Sequence, residues 1–450
     1  MSRHATALRA GALALIALAA ALMALGPGPT AREALGCAFL RHPHTYEADR
    51  ARSTYLAAIE AASVDALFSG NTTFGLPAIE QGTRANRTKD AERRIPATLL
   101  KAIAWVESNM TMASRSVTYH SEGDALVSFD CGHGIMQVTT GMTVPLGAAQ
   151  QATPVQVSIA THYAHNIARG AFILADKWNG APDERPIVGT DTNSGPGLIE
   201  NWYYATWSYN GFTGPGSRMS NHPNDPGFGS WPRPAYRCDG EQARNRYPYQ
   251  ELVWGCMASP PVISGQPLWD AVPATLPDLN DPRYFAALAP SAFQFPYAAM
   301  DMPTPQPAHE DAIPQIAANY RSTVLGQPVL RVDAGKLVLR TDGSPTEARA
   351  TIRVRNGGTG ILTWAVQPPG GWLVADPPAG VALGAGLPCT DPCSPVAEIT
   401  ITVNPTLLPA ASATGTLRIT SPNGGTRVVN ISVEVQADFE VGAPGTSRAY

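Results

Sequence analysis

The sequence predicts a multidomain chain in which a mainly α unit is followed by a C-terminal antiparallel β-sandwich. Three observations carry that expectation. Apolar residues recur with a period near 3.6 between Ile95 and about Cys256, and with a period of 2 beyond Arg321. Between the two patterns, twelve prolines fall in the 55 residues from Pro260 to Pro314. With 450 residues, 44% of them apolar, the chain can fill more than one core. A formal net charge of -4 with no run of like charge sets nucleic-acid binding aside, because such binders carry a basic face.

At the N-terminus, Arg3, His4 and Arg9 precede an uncharged run from Ala10 to Leu25 and then Gly26, Pro27, Gly28 and Pro29. This is the order of a secretory signal, with cleavage after Ala31, or of an uncleaved membrane anchor. The run is short of the ~20 residues that span a bilayer. Ala34-Leu35-Gly36-Cys37 resembles a lipoprotein cleavage box, but Arg32 and Glu33 separate it from the apolar segment. Export to the cell envelope or beyond suits the even count of six cysteines. Cys238 with Cys256, and Cys389 with Cys393, are close enough in sequence for local disulfides, leaving Cys37 and Cys131, although the count alone allows other connectivities. No CxxC pair or HExxH stands in the chain, so neither a metal nor another cofactor is expected. Residues 32–90 form an N-terminal extension, with a helix-like stretch (Tyr55, Leu56, Ile59, Ala62) inside Thr45 to Ala66.

Residues 91–258 carry the chemistry. Pro96 can open a helix as its first residue. Leu99, Leu100, Ile103, Ala104 and Val106 then form an apolar stripe, and Glu107, four after Ile103 and three after Ala104, falls on its buried face. Desolvation and the negative end of the helix dipole both disfavour a carboxylate there and push its pKa upward, which makes Glu107 a proton donor near neutral pH.

The stretch Ile95 to Asn109, ending Trp105-Val106-Glu107-Ser108-Asn109, resembles the catalytic-helix motif of soluble lytic transglycosylases, relatives of goose-type lysozyme. Gly134-Ile135-Met136-Gln137-Val138-Thr139 resembles the second motif of that family, Asn166-Ile167-Ala168-Arg169-Gly170-Ala171 its next helix, and Trp207-Ser208-Tyr209-Asn210-Gly211 its Tyr-Asn motif. Four matches stand in the family order within about 120 residues. The resemblance implies a lysozyme-like fold for the α unit and peptidoglycan glycan strands as substrate. It makes Glu107 the catalytic acid and base with Ser108 beside it. Gly134, Met136 and Gln137 would line the groove, and Tyr209 and Asn210 would hold Glu107 and the N-acetyl group. It departs at Met110, where many relatives carry an aromatic. Asp130, two residues out of register with the Asp of hen-type lysozymes, is a candidate second carboxylate.

Ordinary glycosidases place two carboxylates across the scissile bond. The resemblance implies instead that Glu107 alone protonates the β-1,4 oxygen between N-acetylmuramic acid and N-acetylglucosamine. It would then take the C6 hydroxyl proton as a 1,6-anhydro ring closes. A lysozyme- or chitinase-like hydrolase using Asp130 to orient water is the first alternative, and a non-catalytic exported glycan-binding protein the second. His120 and His133 lack a nucleophile elbow, so a hydrolytic triad is not expected. Of Trp202, Tyr203, Tyr204, Trp207, Tyr209 and Phe212, most are expected in the core rather than under a sugar.

Residues 259–321 read as a Pro-rich connector, 322–437 as the sandwich and 438–450 as a tail. Ile352 and Val354, then Leu362, Trp364 and Val366, then Ile399, Ile401 and Val403, then Val429, Ile431, Val433 and Val435 alternate as half-buried strands do, with a hairpin turn at Asn423-Gly424. Asn356-Gly357-Gly358-Thr359-Gly360, Leu362-Thr363-Trp364 and Trp372-Leu373-Val374 resemble bacterial immunoglobulin-like modules of the BACON type, which implies either carbohydrate contact or a spacer role.

Overall fold

The computed structural model describes residues 36–435 except 40, 84–85, 90–92, 144–150, 185–186, 189–194, 212, 214–215, 217–219, 282–300, 342–347, 391–395 and 411. The expected export signal and C-terminal tail lie outside the described residues, as does Phe212. Helices α1 (Ser53–Ser63), α2 (Ala97–Ser108), α3 (Pro154–Thr161), α4 (Tyr163–Glu184), α5 (Tyr203–Tyr209) and α6 (Tyr249–Ala258) build the first unit, and α7 (Tyr320–Leu325) precedes the second. Strand β1 (His44–Glu47) pairs antiparallel with β4 (Ser121–Asp124), and β2 (Glu80–Thr83) with β3 (Asn86–Lys89).

The expectation of a mainly α, lysozyme-like domain is overturned. Helix accounts for 26% of the chain and strand for 27%, and the largest regular body is a curled β-sheet domain. The reason lies between the helices. The described residues among the 45 separating α2 from α3 hold β4, several isolated bridges and turns rather than helix. Left-handed backbone at Asn109, Met110, His120, Cys131, Gly134 and Gln137 repeatedly ends any helical run there. Helix α2 itself starts one residue later than expected, at Ala97, with Pro96 flanking it.

The sandwich uses β5 (Leu330–Val332), β6 (Lys336–Thr341), β7 (Ala348–Asn356), β8 (Ile361–Gln367), β9 (Leu373–Asp376), β10 (Ala379–Leu383), β11 (Val396–Val403), β12 (Ser412–Ser421) and β13 (Gly425–Val435). Its sheets run β6-β13-β12-β8-β10 and β9-β11-β7-β5. The β12–β13 hairpin turns at Asn423-Gly424, with Ser421 opposite Gly425. The period-2 residues Ile352, Val354, Leu362, Trp364, Ile399, Ile401 and Val429 face one another in a dry core. The expected all-antiparallel arrangement is corrected at one edge: β6 joins β13 in parallel, Lys336 opposite Asn430. No sequence alternation distinguishes the two directions, because both place every second residue inward.

Three tertiary features position the first unit. Its core extends from the N-terminal extension (Tyr46, Tyr55, Ile59) through α2 to α6, and takes in Ile361, Val381 and Leu383 of the sandwich. Glu47, buried and ion-paired to Arg52 at 2.9 Å, accepts from the backbone N–H of Met112 and Ala113, each at 2.9 Å, and so anchors the chain leaving α2. Described parts of the connector lie along this unit. Asp311 accepts from the Thr98 backbone N–H at 2.6 Å and its hydroxyl at 3.0 Å. Helix α2 has no cap of its own, and a carboxylate on its first-turn donors is worth about 0.5–2 kcal/mol. Farther back, Glu200 is fully buried and holds the connector through Thr275 and His309.

Candidate active site

Glu107 occupies the last turn of α2, on the face that Leu100, Ile103 and Ala104 bury. The residue as a whole is half-buried. Burial pushes its pKa from the ordinary carboxylate value up to about 7, and the negative charge of Asp130 adds to the rise. Three groups oppose it: the Tyr249 hydroxyl donates to Oε1 at 2.6 Å, the Arg244 guanidinium lies nearby, and the Asn210 side chain donates a hydrogen bond. The Asn210 Oδ1 accepts from Asn221 Nδ2 at 2.5 Å, which leaves its amide N–H₂ to face the carboxyl. The outcome is a group whose pKa is brought toward neutrality, where it can either give or take a proton.

The helix end is tied to the Gly134–Gln137 turn. Ser108 Oγ donates to the Ile135 carbonyl at 2.8 Å, and the Tyr209 hydroxyl to the Met136 carbonyl at 2.7 Å. Gly134 has φ +65°, and a Cβ there would lie 2.6 Å from the Met112 sulfur and 2.8 Å from Asn166 Nδ2, so glycine is required twice over. Gln137, also left-handed at φ 43°, folds its Nε2 back onto the Gly134 carbonyl at 2.8 Å and remains partly exposed. The same backbone and side-chain bonds that shape this turn fix where its exposed edge lies relative to Glu107.

The expected site residues divide into two groups. Glu107, Ser108, Gly134, Gln137, Tyr209 and Asn210 converge through the bonds just described. Met136 is fully buried against Gly170, so its side chain packs the core and is not a groove-lining group. Met110 is likewise fully buried, and the departure from an aromatic there falls in the core. Asp130 is exposed, its Oδ1 taking the Ser128 hydroxyl at 2.5 Å. His133 is buried with Nδ1 on the Cys131 carbonyl, and desolvation lowers its pKa to about 4. Trp202, Tyr203, Tyr204 and Trp207 are buried. Among the described residues no group of three or more His, Cys, Asp or Glu could hold a metal ion.

Three contributors were not assigned roles from sequence. Asn166 accepts the Met136 N–H at 2.9 Å and donates to the carbonyls of His133 and Ile159, so it holds the turn from inside. Tyr249, on α6, and Arg244, in the turn before it, reach Glu107 from about 140 residues away. Apolar spacing around α6 could have marked the helix, but nothing local marks which residue faces an acid. Disulfide Cys238–Cys256 brackets both, and Cys37–Cys131 ties the N-terminal extension to the loop before Gly134. Cys389 is also disulfide-bonded, and Cys393 lies outside the described residues.

No family model and no curated protein matches the chain. Solved structures that resemble part of it include a PapD-like domain of human CEP192 (12% identity, 24% of this chain and 87% of that one, TM-score 0.19). Others are the E. coli chaperone DraB (12% identity, 24% and 57%, TM-score 0.20) and a protein from Porphyromonas gingivalis W83 (18% identity, 30% and 56%, TM-score 0.20). At these scores the likenesses carry no functional argument.

Proposed function

We propose that the protein is a peptidoglycan lytic transglycosylase, cleaving the β-1,4 bond between N-acetylmuramic acid and N-acetylglucosamine. The observation that carries this reading is a single carboxyl group, Glu107, with a pKa raised to about 7 and donors on the side where charge appears. In the first step Glu107 gives its proton to the glycosidic oxygen, the bond to C1 of the muramic residue breaks, and the N-acetyl oxygen of the substrate stabilises the cationic centre. Glu107 is now a carboxylate, which Tyr249, Asn210 and Arg244 stabilise. In the second step it takes the proton of the muramic C6 hydroxyl, whose oxygen closes on C1 to form the 1,6-anhydro ring. The acid is restored and no water is consumed. Such acid–base assistance is worth roughly 10²- to 10⁴-fold. The four short motifs around these residues also support the reading, independently of the overall architecture.

Export belongs to the same proposal, since the glycan lies outside the cytoplasm. The apolar N-terminal run and the disulfides favour it. No helix among the described residues is long and apolar enough to cross a membrane. The sandwich would act as a spacer or a carbohydrate contact. Digestion of purified peptidoglycan followed by mass spectrometry tests the reading. Anhydromuramic ends are expected, reducing muramic ends would assign a hydrolase, and binding without fragments would remove the enzyme.

A further inference from the structure

Packing does not choose which end of the Asn210 amide meets Glu107. Asn210 is exposed, and its amide carries N–H₂ on one side and an oxygen on the other, exchanged by a half-turn about the last side-chain bond. With N–H₂ toward Glu107, Asn210 donates to the carboxylate and favours its charge. With Oδ1 toward Glu107, it repels the carboxylate and accepts from the protonated acid. The choice falls to whatever holds the opposite end, and that group is Asn221, whose Nδ2 donates to Asn210 Oδ1 at 2.5 Å.

Asn221 is itself held at both ends of its backbone. Its N–H donates to Thr213 Oγ1 at 3.2 Å, and its carbonyl accepts from Gln250 Nε2 at 3.0 Å. Gln250 is fully buried on α6, directly after Tyr249, and its Nε2 also reaches the Tyr203 hydroxyl at 3.3 Å. The next residue in the loop, His222, is buried edge-on against Trp207 of α5. These ties fix the loop without the Asn221 side chain, whose amide is directed at Asn210. Helix α6 therefore addresses Glu107 by two routes, directly through Tyr249 and indirectly through Gln250, Asn221 and Asn210. We propose that Asn221 is a positioning residue, which fixes the Asn210 amide with its donor toward Glu107 and so decides whether Asn210 favours the charged or the neutral acid. Its part in catalysis rests on the cleavage reading above, whereas the orientation of the amide does not.

The test follows Glu107 by NMR titration of isotope-labelled glutamate carboxyl groups in the full chain, with Glu107→Gln identifying the signal, and by the pH–rate profile on purified peptidoglycan. The other groups that face Glu107, namely Tyr249, Tyr209, Arg244 and Asp130, are left as they are. Asn221→Leu removes the donor without adding charge. Asn221→Asp replaces it with an acceptor, which binds the N–H₂ end of Asn210 and turns Oδ1 toward Glu107. Both are expected to move the Glu107 midpoint upward, Asn221→Leu by about half a pH unit and Asn221→Asp by about one. With Asn210→Ala already present, Asn221→Leu should move it no further, and Asn221→Asp should keep only the small part owed to its charge. A loop-closing role alone would lower the melting temperature and leave the midpoint in place. An unmoved or lowered midpoint, or an undiminished shift in the Asn210→Ala protein, overturns the proposal. If the midpoint rises as expected while the parent protein releases no fragments, the positioning role stands and the cleaving enzyme falls. If the parent cleaves and the midpoint does not move, the enzyme stands without it.

Discussion

The sandwich and the helical unit handle polarity in opposite ways. Among the described residues of the sandwich, Thr363 alone is a buried polar side chain, and its hydroxyl and N–H both meet Asn423 Oδ1. Its charged pairs, such as Arg353 with Glu398 at 2.9 Å, stand in solvent. The helical unit buries Glu47 with Arg52, Glu251 with Arg233, and Glu200 with His309, and leaves Glu107 and Glu122 with no cation bonded to them. Desolvating a charge costs several kcal/mol unless it is matched. A scaffold has no reason to carry that cost, whereas a site that moves protons does. Under the proposed function, the contrast separates a part of the molecule that holds shape from a part that moves protons.

The sharpest way to break the contrast is Glu107→Gln. It should lower cleavage of peptidoglycan by about 10²- to 10⁴-fold, with a melting temperature equal to or above that of the parent, because the amide fills the same space without a charge to desolvate. Retained activity would remove Glu107 from the chemistry. The mirror experiment is Trp364→Ala in the sandwich. The Trp364 indole is fully buried, donates to the Val381 carbonyl at 3.0 Å and packs on Gly380. Its loss should cost about 3–5 kcal/mol of sandwich stability in denaturant unfolding, while the pH–rate profile keeps its midpoint. A shifted midpoint would mean that the two regions are not energetically separate.

The two regions were also unequally legible. In the sandwich, alternation alone located Ile352, Val354, Trp364, Ile399, Ile401 and Val429, because a sheet face needs only every second residue to be apolar. It did not foretell that Ile361 and Ala365, on the other face of β8, are buried too, since what covers them is a different part of the chain: Ile361 joins the helical core and Ala365 packs with Val157 of α3. In the helical unit, the position of Glu107 four residues after Ile103 was enough to read its burial and the direction of its pKa. The mainly α expectation failed because helical periodicity marks where helices lie and says nothing about the long turns between them. Tyr249 and Arg244 were illegible for a related reason: their contact with Glu107 is made by the packing of α6 on α2, and no local pattern encodes it.

Glu122 tests whether every unmatched carboxyl in the helical unit is reactive. It lies on β4 opposite Tyr46, one oxygen has no partner, and burial alone raises its pKa to about 8. The sign follows from the proton count. Below about pH 4.5 folded and unfolded chains both hold the proton, and Glu122 costs nothing. As pH climbs toward 8 the unfolded chain releases a proton that the folded chain keeps, so stability falls. Glu122→Gln should match the parent at pH 4 and exceed it at pH 8, by an amount on the order of a few kcal/mol. Thermal unfolding at the two pH values reads this directly. An equal gain at both would show that packing rather than charge is responsible. Cleavage should be unaffected, because the main influences on Glu107 are burial, Tyr249, Arg244, Asp130 and Asn210.

The smallest and most specific effect is that of Tyr249→Phe. Its hydroxyl bond favours the charged form of Glu107, so its removal moves the Glu107 pKa further above about 7. The protonated acid then survives to higher pH, and the alkaline limb of the rate profile should shift upward. The step in which Glu107 must accept a proton loses one of its stabilising donors, so the plateau rate should fall as well. A merely structural role for Tyr249 would lower the plateau without moving the limb, because packing loss changes how many molecules are folded and not how tightly Glu107 holds its proton. Phenylalanine keeps the ring in the buried slot on α6, so the limb reports one hydrogen bond. If the limb moves downward, the carboxyl is tuned by something other than the balance of burial against donors, and the distinction between a shape-holding sandwich and a reactive helical unit loses its best-defined member.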